Sequence, residues 1–257
     1  RPKDAEAAKY GTKLARGANF KCLMSGAPMA GNYIKAEGMN GRMGTRLMAI
    51  VAEGERGRVY IAPTQEHEAA AHKAMPEWKP ETPIAPDPRA LWTPPYGLIT
   101  YGDLFTPRQL VALTTFSDLV GEVREKIQSD AIAAGLADDT KPLSKSGTGA
   151  TAYAQAVVMY LGLATSRWSD LSNTICSWNN INQNVRALFA RQAIPMSWDY
   201  AELSPFSKIG SWFSTIESSA EAAVSLPATT KGYSAQLDAS KQDLSINRVI
   251  STDPPYY

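Results

Sequence analysis

Two cysteines, two histidines and no long apolar run are the first features of this 257-residue sequence. Cys22, Cys176, His67 and His72 are too few and too scattered to argue for a zinc centre of four Cys or His ligands. His67 and His72 stand five apart in "HEAAAH", whereas the zinc-protease pair needs a spacing of four. On a helix turning about 100° per residue they would diverge by about 140°, so no metal site is expected. The longest apolar runs, such as 47–52, fall far short of the roughly 20 residues that cross a bilayer. No charged-then-apolar leader opens the chain, which makes a cytoplasmic location the expectation. The first residue is Arg1, so a processed chain or one cut from a longer polypeptide is also expected. With 44% hydrophobic and 20% charged residues, the composition excludes a disordered chain, a collagen-like chain and a disulfide scaffold.

Charge of one sign is also lacking overall, at a net +1, but the distribution is uneven. Residues 1–60 hold eleven Lys or Arg against five Asp or Glu, which leaves the remainder net acidic. A basic face toward nucleic acid fits this asymmetry, as does a merely solvated lysine-rich segment. Gly38, Gly41 and Gly44 recur every three residues with Arg42 and Arg46 among them. Such a loop lets backbone N–H groups approach a phosphate while Arg42 and Arg46 grip a DNA backbone. A turn-rich β segment with exposed arginines is the alternative. The Gly-Lys-Ser/Thr ending of a Walker loop is absent.

Local patterns predict an α+β protein in four parts. Residues 1–75 read as a basic, β-rich part: a short helix over 3–14, strands over 19–24 and 32–37, and a hairpin of 46–53 with 58–63 across Gly-Glu-Arg-Gly. A helix over 64–73 follows, capped by Thr64. Seven prolines between 76 and 95 forbid a helix or central strand and mark 76–103 as an extended crossing. Residues 104–226 read as mainly helical. Thr106, Pro107 and Gln109 form a capping box, after which Leu110, Leu113, Phe116, Val120, Val123 and Ile127 repeat at steps of three and four. A Gly/Ser break covers 144–149, and helices are expected over 150–171, 184–192 and 211–225. The asparagines of 173–184 suggest a solvated loop, and the aromatics of 178–213 suggest core between helices. Residues 227–257 turn to strands over 233–238 and 248–252, ahead of Asp253-Pro254-Pro255-Tyr256.

That closing word carries the most chemistry. A rigid Pro-Pro turn at a strand end aims its carbonyls outward. Asp253 beside the Pro254 carbonyl makes two acceptors for both hydrogens of an exocyclic amine, and Tyr256 offers a flat stacking face. Amino-methylation of an extruded base needs this arrangement. Extrusion costs a few kcal/mol, against about 1–3 kcal/mol from one stack and roughly 1.5–3 kcal/mol from hydrogen bonds to a charged acceptor. A plain proline-rich turn and a proline-rich tail ligand for an aromatic groove remain open.

Several segments then resemble one family. "YIKAEGMNGRMGTRLMAIVAEGERGRVYIAPT" (33–64), "WTPPYGLITYGDLFTPRQLVALTTFSDLV" (92–120), "SGTGATAYAQAV", "FARQAIPMSWDYAE" and "TDPPYY" are similar, in the same order, to bacterial adenine-specific DNA methylases that carry a zinc ribbon. The resemblance implies methyl transfer from S-adenosylmethionine to the adenine amino group of DNA. It implies that Asp253, Pro254 and Tyr256 hold the base and that Asp238 touches the donor's adenine. It also makes the final strands part of an incomplete methyltransferase α/β sheet. The family's Asp-Pro-Phe-Ala-Gly-Gly-Gly-type donor loop is missing, and its zinc ribbon is reduced to Cys22 with Ser25 three residues on. The chain therefore resembles the central segment of such an enzyme, expected to bind the donor weakly or not at all and to be inactive alone. DNA, the remainder of the methyltransferase and a partner subunit are the expected partners. A non-catalytic helical module that recognises DNA or docks a subunit is the alternative.

Overall fold

The computed structural model describes residues 9, 11–190, 193–226, 236–238, 240–244, 246–247 and 249–252. The chain divides into two compact units, Arg1–Ala220 and Glu221–Tyr257. The fold is mixed α+β, with small antiparallel sheets beside a mainly helical region.

Strands β1 (Lys13–Ala15), β2 (Asn19–Lys21) and β3 (Pro28–Met29) form a three-stranded antiparallel sheet in that order. The expected helix over 3–14 is corrected at its described end. Gly11 and Gly17 take left-handed φ values of 53° and 74° that bracket β1 with turns. Residues 1–8 and 10 of that expectation lie outside the described residues. The expected strand over 32–37 is helix α1 (Gly31–Met39). Ile34 and Gly38, one helical turn apart, are its buried residues. A Cβ on Gly38 would collide with the Tyr96 carbonyl, so glycine lets the helix close onto the 3-10 turn Pro94–Tyr96. Strands β4 (Ile50–Gly54) and β5 (Gly57–Ile61) form the expected hairpin. Helix α2 (Gln65–Ala71) starts at Thr64, as its cap signal predicts.

The proline-rich stretch holds no α-helix, only 3-10 turns at Pro94–Tyr96 and Tyr101–Leu104, and it also supplies core. Ile84 is buried with Leu104, Ile175, Leu188 and Ile194. Backbone bridges join Pro83 to Thr100 and Leu91 to Ile194. Asp103 anchors its end by accepting from Thr100 N and Oγ1 at 2.8 Å each and from Lys79 Nζ at 2.7 Å.

Helices α3 (Pro107–Ala133) and α4 (Ala150–Ser169) form an antiparallel hairpin. The predicted capping box is closed: Thr106 N donates to Gln109 Oε1 at 2.8 Å and Gln109 N to Thr106 Oγ1 at 3.2 Å. Helix α4 starts at Gly149, which has no capping side chain. The loop substitutes, because Asp138 accepts from Thr151 N at 3.0 Å and from Thr151 Oγ1 at 2.9 Å. Helix α5 (Trp212–Ser225) joins through aromatic packing. Trp212 stacks on Phe116 at 4.4 Å, and the fully buried Trp168 meets the Phe116 ring edge-on at 5.7 Å.

The expected solvated loop over 173–184 and helix over 184–192 are both corrected. Strands β6 (Ser177–Asn179) and β7 (Asn184–Arg186) make a two-stranded hairpin, followed by the 3-10 turn Leu188–Ala190. Asn173 and Asn179 are buried, and their side chains replace missing backbone partners: Asn173 Oδ1 accepts from Ile175 N at 2.9 Å. Residues 236–238 and 249–252 are not strands, and the rest of those two expected strands lies outside the described residues. Val249 is fully exposed, and a strand needs a neighbour to bond. No described helix is long and apolar enough to cross a membrane.

Asp170, 4% exposed, joins the end of α4 to this hairpin. Its carboxylate accepts from Phe189 N and from Arg167 Nη1, each at 2.7 Å, and its carbonyl accepts from Leu188 N at 3.0 Å. Asp170→Ala leaves the Phe189 N–H without a partner, and a loss of about 1–3 kcal/mol is expected, read by urea denaturation. Retained wild-type stability would show that the junction does not depend on this carboxylate.

Candidate functional site

The residues singled out in the sequence do not converge on one centre among the described residues. Arg42 Nε and Nη2 form a two-pronged contact with Glu37 at 2.8 and 2.7 Å. The hydrogen bond from Arg42 holds the Glu37 carboxyl below its usual range. The guanidinium is thus already engaged from the C-terminal end of α1. Arg46 is exposed and has no ion pair among the described residues. Gly38 packs against Tyr96, which removes it from the expected phosphate loop, while Gly41 and Gly44 face open space.

The Tyr200 phenol is raised above its ordinary range by burial and by the Glu202 carboxylate. Arg108 clamps that carboxylate with two bonds, at 2.7 and 2.9 Å. The partners lie 94 residues apart, so no local pattern announces them.

A half-open cavity of about 340 Å³ lies between the crossing, α3 and α4, with Trp78, Tyr101, Phe105 and Phe189 on its walls. Its lining carries no charged side chain, and three of its polar side chains are internally engaged. Thr114 Oγ1 donates to Leu110 O, Thr165 Oγ1 to Leu161 O, and Asn173 Nδ2 to Ser169 O. A lining of this kind does not fit S-adenosylmethionine, whose amino acid and sulfonium charges need partners. Asp238 does not fit it either. Its carboxylate accepts from Ser240 N at 2.9 Å and Ser240 Oγ at 2.7 Å and pairs with Lys241 at 3.3 Å in an exposed turn. These bonds, led by the Ser240 hydroxyl, lower its pKa. Asp253, Pro254 and Tyr256 lie outside the described residues.

Cys22 begins the tight turn between β2 and β3, with Cys22 N donating to Ala27 O at 2.8 Å and Gly26 N to Cys22 O at 2.9 Å. Hydrogen bonding from Ser25 lowers the thiol pKa. No cluster of three or more metal-ligating side chains occurs among the described residues. His67 Nδ1 instead accepts from Thr64 N at 3.1 Å and completes the α2 capping box.

The feature that sequence reading missed is the β6–β7 hairpin. Its turn, 180–183, is exposed, with Ile181 88% accessible. The Trp178/Val185 cross-strand pair and the lack of any Asp or Glu from 171 to 198 were the available signals.

Compared with family models, curated proteins and solved structures, the chain matches none at a significant level.

The two thiols differ in a measurable way. Burial pushes Cys176 up to about 11, and its Sγ donates to Asp170 O at 3.3 Å. Near pH 8 an Ellman titration of the folded chain is expected to count one fast thiol, Cys22, and a second only in denaturant. Two fast thiols in the folded state would place Cys176 outside the core.

Proposed function

We propose that this chain is the central, DNA-engaging segment of an adenine amino-methyltransferase, inactive without a donor-binding part supplied from elsewhere. The observation that carries this reading is the Asp253-Pro254-Pro255-Tyr256 word, set in a sequence that resembles zinc-ribbon adenine methylases over several ordered segments. In this reading Asp253 and the Pro254 carbonyl hold the target amine and Tyr256 stacks on the base. The turn from Cys22 to Ala27 supports descent from a zinc knuckle, with Ser25 where a second thiolate would stand. The second reading, a helical module that docks a subunit, is favoured by the exposed face of α4, where Tyr153, Met159, Tyr160 and Leu163 are 43–59% accessible.

Two measurements on the 257-residue chain test the first reading. Duplex DNA binding is expected to weaken steeply with salt. Arg46→Gln should lower the log–log slope by about one phosphate contact, and Arg42→Gln should lower it less, because Glu37 already holds Arg42. Calorimetry is expected to detect no S-adenosylmethionine binding at the micromolar level. Absence of DNA affinity at low salt would overturn the reading in favour of the subunit-docking module.

The closing word is tested without the donor. Tyr256→Ala should weaken binding to a duplex with an unpaired adenine by about 1–3 kcal/mol, and Tyr256→Phe should not. Asp253→Ala should keep duplex affinity within a few fold but lose preference for adenine over purine, which lacks the amino group. Undiminished preference would reduce the word to a turn.

A further inference from the structure

The β6–β7 hairpin is more elaborate than a surface turn requires. Closing it takes one left-handed residue, supplied by Gln183 at φ 50°. The buried Asn179 pins the backbone, its Oδ1 accepting from Ile181 N at 3.2 Å, Asn182 N at 3.4 Å and Arg186 Nη2 at 3.2 Å. The root is equally fixed, since Ile175 and Cys176 are buried and Ala201 N donates to Cys176 O at 2.8 Å. On this rigid base stand the side chains of Asn180, Ile181, Asn182 and Gln183, all exposed. Among the described residues the amides of Asn180, Asn182 and Gln183 hold no side-chain hydrogen bond, and Ile181 is 88% exposed.

The hairpin's own segment carries charge of one sign. No Asp or Glu occurs from 171 to 198 and Arg186 lies on the hairpin, while Asp170 is tied to its root and Glu53 stands opposite Arg58 in the β4–β5 pair. Arg58, from the β4–β5 hairpin, places its guanidinium 5.8 Å from the Trp178 ring centre. Two exposed arginines therefore flank a turn whose free groups are amides and one branched apolar side chain. An amide pairs in two-pronged fashion with N6 and N7 of adenine, an apolar side chain covers the thymine methyl, and both groups are presented only in the major groove. That groove, about 12 Å wide, admits a two-stranded ribbon.

We propose that the β6–β7 hairpin is a base-reading element. Its tip enters the major groove of duplex DNA and reads A·T pairs through Asn180, Asn182 and Gln183 on adenine and Ile181 on the thymine methyl, with Arg58 and Arg186 on flanking phosphates. This rests on the DNA-engaging reading above and deepens it, because it names where sequence is read.

The experiment is selection from a random-sequence duplex pool by the full chain, followed by titration of the enriched duplex. The wild type is expected to enrich a short A·T-containing site. The variant Asn180→Ala/Asn182→Ala/Gln183→Ala should lose discrimination by about 5- to 150-fold for each base it read, with its salt slope and melting temperature unchanged. Ile181→Ala should relax preference for thymine over uracil. Arg58→Gln with Arg186→Gln should reduce the slope by about two phosphate contacts and leave the selected site the same. A triple variant that selects the wild-type site overturns the hairpin assignment, and so does a wild type that binds without enriching any site. In both cases the DNA-engaging reading stands. A wild type with no DNA affinity at low salt overturns both.

Discussion

Asp170 is the constraint from which the β6–β7 side of the first unit hangs. A carboxylate 4% exposed at a helix end is costly unless each oxygen is taken. Here one oxygen takes the Phe189 amide and the other the Arg167 guanidinium. The main-chain carbonyl of the same residue receives Leu188 N and the Cys176 thiol. One residue thereby ties the end of α4 to both flanks of the β6–β7 hairpin. A two-stranded ribbon has marginal stability by itself, and this anchoring keeps its tip in a defined place.

The remaining packing serves the same scaffold. Phe116 lies between Trp168 and Trp212, so one ring joins α3, α4 and α5. The proline-rich crossing, which cannot satisfy itself as helix or sheet, contributes Ile84 to the core beneath the hairpin root. Its chain ends are held by charge-assisted bonds at Asp103. The apolar cavity beside it has aromatic walls and no charged side chain in its lining, which suits packing better than binding of a charged cofactor.

The candidate chemistry divides between groups that are engaged and groups that are free. Arg42 and Asp238 both looked available in the sequence, and both are held by near neighbours, Glu37 and Ser240 respectively. The hairpin amides Asn180 and Asn182 were expected in a solvated loop, and among the described residues their side chains hold no hydrogen bond. A polar side chain within five residues of a suitable partner tends to satisfy itself locally.

Local codes were legible from sequence alone. The Thr106 and Thr64 caps, the Gly-Glu-Arg-Gly hairpin and the proline density each depend on neighbouring residues, and the structure contains each of them. The strand read over 32–37 became a helix because the Tyr96 backbone, some sixty residues away, packs on Gly38. Of the asparagines of 173–184, Asn173 and Asn179 became buried hairpin supports, bonding neighbouring backbone above a core to which distant Ile84 and Leu104 contribute. Propensity sums over neighbours, whereas burial and hydrogen-bond satisfaction sum over whatever the chain brings close. The sequence by itself determined the capped starts of α2 and α3, the Gly-Glu-Arg-Gly turn and the closing Asp-Pro-Pro-Tyr word. Only the tertiary structure decided which polar groups were consumed and which were left facing outward.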